Sequence, residues 1–330
     1  MNIKKLIMVG VMAFEATVTF AATPTVTDVV AKQRYPWNGL VDISCKVTGI
    51  KGTAKTFWFT VGVVMPDTGN VINISASRFW IAQNGTNSTD PAVRTNGTYR
   101  LVWDASADLG QVTYDNMVVR VNLDAHDRIQ LWEGGPYWAT TNIGADNPED
   151  CGLYFWWGDT IGYRRENDAW VASDGSSSNF SFDSSNTPTL GKNVATLQSE
   201  GWITADGVLT PAHDAAHVHW GGAWRMPTYQ ELSDLCDKCD WTRTTRNGVN
   251  GHVVRGRGTY ASNSIFLPCT GRGNGTSLYD AGSSGNSWSS VPDSGYGYAW
   301  YLYFYSSDHG TSSYFRYYGR SVRPVQGFTE

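Results

Sequence analysis

Residues 296–325 read YGYAWYLYFYSSDHGTSSYFRYYGRSVRPV. With a period of two, Trp300, Leu302 and Phe304 fall on one side of an extended segment and Tyr301, Tyr303 and Tyr305 on the other. Successive side chains of a strand point to opposite faces, so the pattern predicts a strand. A polar turn region follows at 306–313, with Gly310 inside it. A second strand is then expected, in which Phe315 and Tyr317 alternate with Tyr314, Arg316 and Tyr318. The expectation is a hairpin with one buried face and one face of tyrosines and arginine. Aromatic rings cover much area at little entropic cost, and Tyr, Ser, Gly and Arg are the residues that binding surfaces use. An aromatic edge hairpin packed under a loop fits the same pattern.

The rest of the chain has the same character. Gly, Ser, Thr, Asn, Trp and Tyr are abundant, with 35 Gly and 15 Trp in 330 residues, and helix formers are scarce. That balance favours strands and long ordered loops over a helical bundle. The length allows two domains. The formal net charge is -5 and there is no basic block, which argues against nucleic acid or anionic membranes as partners.

Residues 1–21 have the layout of an export signal. Lys4 and Lys5 supply a positive start, residues 6–14 a short apolar run, and Thr19 and Ala21 the small residues of a cleavage site. Glu15 is out of place in that layout. The run is too short to be a permanent span. Removing residues 1–21 takes away two lysines and one glutamate, a net +1, and moves the formal charge from -5 to -6. An exported chain without a membrane span is expected, whether extracellular, at the cell surface or periplasmic.

Five cysteines follow: Cys45, Cys151, Cys236, Cys239 and Cys269. An odd number leaves at least one outside any intrachain pair. Cys236 and Cys239 form a CxxC, but no second pair of zinc ligands stands at suitable spacing and no thioredoxin-like context surrounds it. Structural thiols are the expectation.

Residues 22–125 read as a run of short strands, at 25–31, 40–49, 56–64, 71–75, 98–103 and 117–123. Turn signals punctuate them at Asn38-Gly39, Thr48-Gly49, Gly69-Asn70 and Asn96-Gly97. That spacing is the pattern of a β-sandwich, without the Cys-Trp-Cys spacing of antibody-type domains. The polar segment DAHDRIQL at 124–131 marks a boundary. Residues 126–330 are denser in aromatics and hold one clear helix signal: Pro227, Thr228 as a cap, Glu231 three residues later, then Leu232 and Leu235. A Ser/Asn/Asp-rich loop is expected at 172–190.

Several stretches of the second part carry a family likeness in order. They are GGPYWATTNIGADNPEDCGLYFWWGDT (134–160), HDAAHVHWGGAWRMPTYQEL (213–232), WTRTTRNGVNGH (241–252), NSIFLPCTGRGNG (263–275) and the segment 298–325. Together they resemble the Fibrobacter succinogenes major paralogous domain family of exported bacterial modules. The resemblance implies an α+β C-type-lectin-like fold, shared with formylglycine-generating enzymes and with the variable ligand-binding proteins of diversity-generating retroelements. VVAKQRYPWNGLVDISCKVTG (29–49) and TYRLVWDASADLG (98–110) resemble the immunoglobulin-like sandwich that precedes such modules. Cys151, His219 and Cys269 depart from the family pattern, where an aromatic, an asparagine and a small residue are commoner.

Chemistry-bearing clusters are few. His213, His217 and His219 with Asp214 have ligand types that zinc accepts. As a strand leading into the WRMPT turn, the segment would instead be structural, with His217 and His219 on one face. Arg225 and Arg323 read as scaffold residues bonding carbonyls or a buried carboxylate, and Arg320 as nearer the surface. The sugar-site tripeptides of calcium-dependent lectins are missing. There is no Gly-x-Ser-x-Gly elbow, no HExxH and no phosphate-binding loop. A formylglycine-generating enzyme needs C-terminal cysteines, and none follows Cys269. The expectation is a non-enzymatic binding module without cofactor or metal. Its protein or glycan ligand would meet Tyr301, Tyr303, Tyr305, Asp308, His309, Tyr314, Arg316 and Tyr318. A structural or adhesive surface protein is the alternative, and a degenerate formylglycine-generating-enzyme-like protein a third.

Overall fold

The computed structural model describes residues 8–9, 24–34, 38–50, 56–65, 71–74, 78–83, 86–88, 92–109, 118–295 and 297–327. Strands make up 46% and helices 12% of the chain, so the fold is mostly β, and its sheets are antiparallel. The chain divides into two compact units, Met1–His126 and Asp127–Glu330. No helix among the described residues is long and apolar enough to cross a membrane.

In the first unit, one sheet is ordered Met8–Val9, Thr25–Gln33, Leu40–Thr48, Gly97–Asp104, Phe79–Gln83, Thr86–Ser88. The other joins Val118–Asp124, Phe57–Val64 and Val71–Ile74, with Ala92–Val93 also on the Phe57–Val64 strand. Alternation decides which side is buried. Ile43, Cys45 and Val47 point inward from one sheet, Phe59, Val61 and Val63 from the other, and all belong to one core with Leu101 and Trp103. The six expected strands of this region lie within two residues of their expected ends. Three short ones, at Phe79–Gln83, Thr86–Ser88 and Ala92–Val93, have too little apolar alternation to be read from sequence. The export signal falls almost wholly outside the described residues; Met8–Val9 pairs with Val30 and Ala31 as a two-residue strand.

Among its described residues the second unit wraps long irregular chain around five small sheets and three α-helices, Val194–Ser199, Ala215–Trp220 and Tyr229–Lys238. Its beginning and end are sewn together: Tyr137 and Trp138 pair with Gln326 and Val325. Helix Tyr229–Lys238 starts where the sequence signals it. Thr228 and Glu231 form a reciprocal capping box, and Leu232 and Leu235 are fully buried. Pro227 stands just before the cap rather than in the first turn. Arg225 grips Glu231 with two nitrogens, at 2.7 and 2.5 Å, and the Gly327 carbonyl at 3.0 Å, tying the helix start to the chain end.

HDAAHVHW is not a strand. Asp214 caps a helix over Ala215–Trp220, accepting the amides of Ala216 and His217 at 2.9 and 3.0 Å and that of Met226 at 2.9 Å. A six-residue helix is less than two turns, too short to leave a readable period.

The sheet that matters for function joins Gly285–Pro292, Tyr298–Phe304 and His309–Phe315, with Tyr298–Phe304 in the centre. The expected polar turn is mostly strand. The chain reverses over 305–308, Tyr305 donating its amide to the Asp308 carbonyl at 2.9 Å, and Phe304 pairs with His309. The segment His-Gly-Thr-Ser-Ser is an edge strand, which needs no apolar alternation. The strand ends at Phe315, so the expected alternation does not continue through Tyr318.

Candidate ligand-binding surface

Residues directly opposite each other in an antiparallel pair share a face. One face of this sheet therefore collects three rows: Trp288, Tyr301 and Ser312; Asn286, Tyr303 and Gly310; and Pro292, Ala299 and Tyr314. The other collects Leu302 and Phe304, both buried in the core under helix Tyr229–Lys238, with Trp300 against the Tyr229 ring at 4.4 Å.

Along the first face, burial falls toward the turn. Ala299 and Trp288 are fully buried, Tyr301 and Tyr303 half-buried, and Tyr305 is 41% exposed. Beneath Tyr301 lies Arg320, only 1% exposed. Its guanidinium carbon is 3.5 Å from the Tyr301 ring centre and 4.7 Å from that of Trp288, and it donates to Asn286 Oδ1 at 2.5 Å. Arg320 has no carboxylate partner among the described residues; the aromatic faces supply the compensating negative potential. Burial pulls its pKa down to about 10, so it remains charged at neutral pH.

At the turn, the Tyr303 and Tyr305 hydroxyls both donate to Asp308 Oδ2, at 3.2 and 3.3 Å, while Oδ1 accepts the His309 amide at 2.9 Å. The two rings lie 6.0 Å apart and 18° from parallel. Gly310 opposite leaves room for this packing: a Cβ there would stand 3.0 Å from the Tyr303 hydroxyl and push the ring aside by a few tenths of an ångström. Desolvation and the Asp308 hydrogen bond raise the Tyr303 phenol, and the Asp308 charge raises Tyr305, so both keep their protons. At the other end, Tyr314 is 41% exposed, stacked with Tyr298 and edge-on to Tyr318 at 5.0 Å. Tyr318 is half-buried, and burial pushes its phenol up to about 12.

Six of the eight expected contact residues lie along this face: Tyr303, Tyr305 and Asp308 at one end of the strip, Tyr314 at the other, and Tyr301 and Tyr318 between them, partly buried against the core of Trp288 and Ala299. Two do not. Arg316 is completely buried. Its Nε donates to the Tyr298 carbonyl at 2.9 Å, and one terminal nitrogen reaches the Thr189 and Lys192 carbonyls at 2.8 and 2.9 Å. It clamps three chain segments and is not a surface residue, because the turn after Phe315 rotates it inward. His309 belongs to the opposite face, stacked 4.4 Å from Trp241. Tyr301 is a support as much as a contact, because it roofs Arg320. Sequence reasoning missed Gly310, Ser312 and the supporting layer of Asn286 and Trp288, which only the strand register brings under the tyrosines. Arg320, expected near the surface, is the buried centre of that layer.

The other clusters have structural partners. His213 stacks on Trp202 at 3.9 Å, and His219 bonds the Thr160 carbonyl at 3.0 Å. Among the described residues, no three His, Cys, Asp or Glu side chains are placed to hold a metal ion. All five cysteines are free, and burial pushes Cys45 and Cys236 up to about 12 and Cys239 to about 11, far from the reactive thiolate. Buried Asp159, drawn up to about 6 by desolvation, is occupied in accepting the amides of Ile161 and Gly162, both at 3.0 Å.

In comparisons with known proteins, no family model, no curated protein and no solved structure matches the chain.

Proposed function

We propose that the chain is an exported, non-enzymatic binding module. In this reading an immunoglobulin-like sandwich at 22–125 precedes a C-type-lectin-like unit of the Fibrobacter succinogenes major paralogous kind at 126–330. The second unit presents its tyrosine strip to a macromolecular ligand, protein or glycan, as the variable proteins of diversity-generating retroelements present theirs. The small antiparallel sheets, the long ordered loops and the paired unit ends favour that fold. The observation that carries the function is the strip itself. Tyr303, Tyr305 and Tyr314 stand on the sheet face opposite Leu302 and Phe304, flanking Tyr301, which is itself backed by the fully buried Trp288 and Arg320. Rigid backing keeps an aromatic in its bound conformation before the ligand arrives, which lowers the entropic cost of binding.

The test is a screen of the secreted chain against a glycan array and a panel of extracellular proteins, repeated with Tyr303, Tyr305 and Tyr314 all changed to Ser. The reading expects a triple variant that melts somewhat lower but stays folded at the assay temperature, and that loses every ligand the parent retains. Retention of those ligands by the folded triple variant would overturn it.

A further inference from the structure

Resting on that reading, we propose that the tip formed by Tyr303, Tyr305 and Asp308 is a receptor for a cationic side chain, a lysine ammonium or arginine guanidinium displayed by a protein partner. The geometry is specific. One carboxylate oxygen collects both phenolic protons, at 3.2 and 3.3 Å, and the other is fixed by the His309 amide at 2.9 Å. These bonds turn the carboxylate toward the rings. Both phenols have spent their donors on Asp308, so the tip offers acceptors, negative charge and ring faces outward. A neutral sugar hydroxyl both donates and accepts and would find only acceptors on these three side chains. Ammonium and guanidinium groups are donors only and are matched by acceptors alone.

The rings add to this. Their faces carry negative potential and attract a cation. A phenol that donates to a carboxylate is polarised toward the ring, which strengthens that face. Near-parallel rings 6.0 Å apart present two such faces on one side of the strand.

The charge is also unanswered. Among the described residues no ion pair engages Asp308. Arg320 is sealed under Tyr301, and His309 faces Trp241 on the other side of the sheet. Ser306 and Ser307, which share the turn, are exposed and uncharged. An acidic chain with an oriented carboxylate that has no ion pair, held between one exposed and one half-buried ring, is complementary to a basic side chain.

The experiment uses the secreted chain with isotope-labelled tyrosine rings, resonances assigned through Tyr303→Phe and Tyr305→Phe. It is titrated with N-acetyl-arginine methylamide, its neutral isostere N-acetyl-citrulline methylamide, and maltoheptaose, at constant ionic strength. The proposal expects saturable shifts at Tyr303 and Tyr305 with the arginine probe and binding about tenfold weaker or worse with citrulline. It expects no saturation with the sugar, and loss of arginine binding in Asp308→Asn at unchanged melting temperature. Equal response to citrulline, saturation by maltoheptaose, an undiminished Asp308→Asn, or no saturable shift at all would each overturn it. The underlying surface reading is judged apart, by Tyr314→Ser, which lies outside the tip. If Tyr314→Ser loses the screened ligand while Asp308→Asn keeps it, the surface stands and the cation receptor falls.

Discussion

Tyr301→Ser should destabilise the second unit far more than Tyr305→Ser, although the two residues share a strand face. Tyr305 is exposed at the turn and its removal should cost no more than about 0.5 kcal/mol. Tyr301 is half-buried and lies 3.5 Å over the guanidinium of Arg320. Full truncation of a buried aromatic costs about 3–5 kcal/mol, so a half-buried ring loses about 2. A desolvated cation–π contact adds about 1–2 kcal/mol, because a buried arginine without a carboxylate loses part of its compensation. The sum is about 3–4 kcal/mol, or about 6–16 °C in the melting temperature of a unit this size. Tyr301→Phe keeps the ring over Arg320 and should lose little. The assay is calorimetric melting of the parent and the three variants at neutral pH. Equal melting of Tyr301→Ser and Tyr305→Ser would refute the account of a roof over a buried cation.

Trp224 is 1% exposed beside the Arg225–Glu231 lock, and Trp224→Ala should cost about 3–5 kcal/mol in urea unfolding of the second unit; a loss no larger than that of a surface control would contradict its place in the core. Asp214→Ala leaves three buried amides without their acceptor and should cost about 2–4 kcal/mol, with Asp214→Asn losing distinctly less; equal losses would show that the oxygen acceptor is not what matters. His252 is buried beside His309 and Arg243, and desolvation depresses it to about 4, so the folded state binds its proton less well than the unfolded chain. Its contribution is present above about pH 6.5 and lost as pH falls toward 4, up to about 3 kcal/mol. Asp159, raised to about 6, works in the opposite direction in the same window, so the measurement is the parent's melting from pH 7.5 to 4.5 compared with His252→Phe; parallel curves would exclude the histidine.

What was legible in the sequence is what short-range physics writes there. The capping box of Thr228 and Glu231 and the buried Leu232 and Leu235 are a local pattern and appear as such. So does the central strand, whose Leu302 and Phe304 are buried while Tyr303 and Tyr305 stand on the other face. The edge strand His309–Phe315 was hidden because Gly, Thr and Ser satisfy a ladder without any hydrophobic period. Arg316 was misplaced because the carbonyls it clamps belong to Thr189 and Lys192, more than a hundred residues earlier, and no local pattern announces them. Asp214 and its helix were missed for a related reason. Asp214 caps a helix too short to show a period, and its third partner, the Met226 amide, is brought close only by the turn at Trp224. The site follows the same division: its tyrosines are visible in sequence, while the buried Asn286 and Trp288 beside Tyr303 and Tyr301, and Arg320 beneath Tyr301, come from distant parts of the chain.

The central claim is that ligand meets the chain on the strip of Tyr303, Tyr305 and Tyr314. Tyrosine footprinting of the secreted chain, with and without a ligand recovered from the screen, addresses it most directly. Tyr137, 40% exposed on a different sheet, is the internal control. The account predicts protection of Tyr303, Tyr305 and Tyr314 with Tyr137 unchanged; full reactivity of those three in the saturated complex would contradict it.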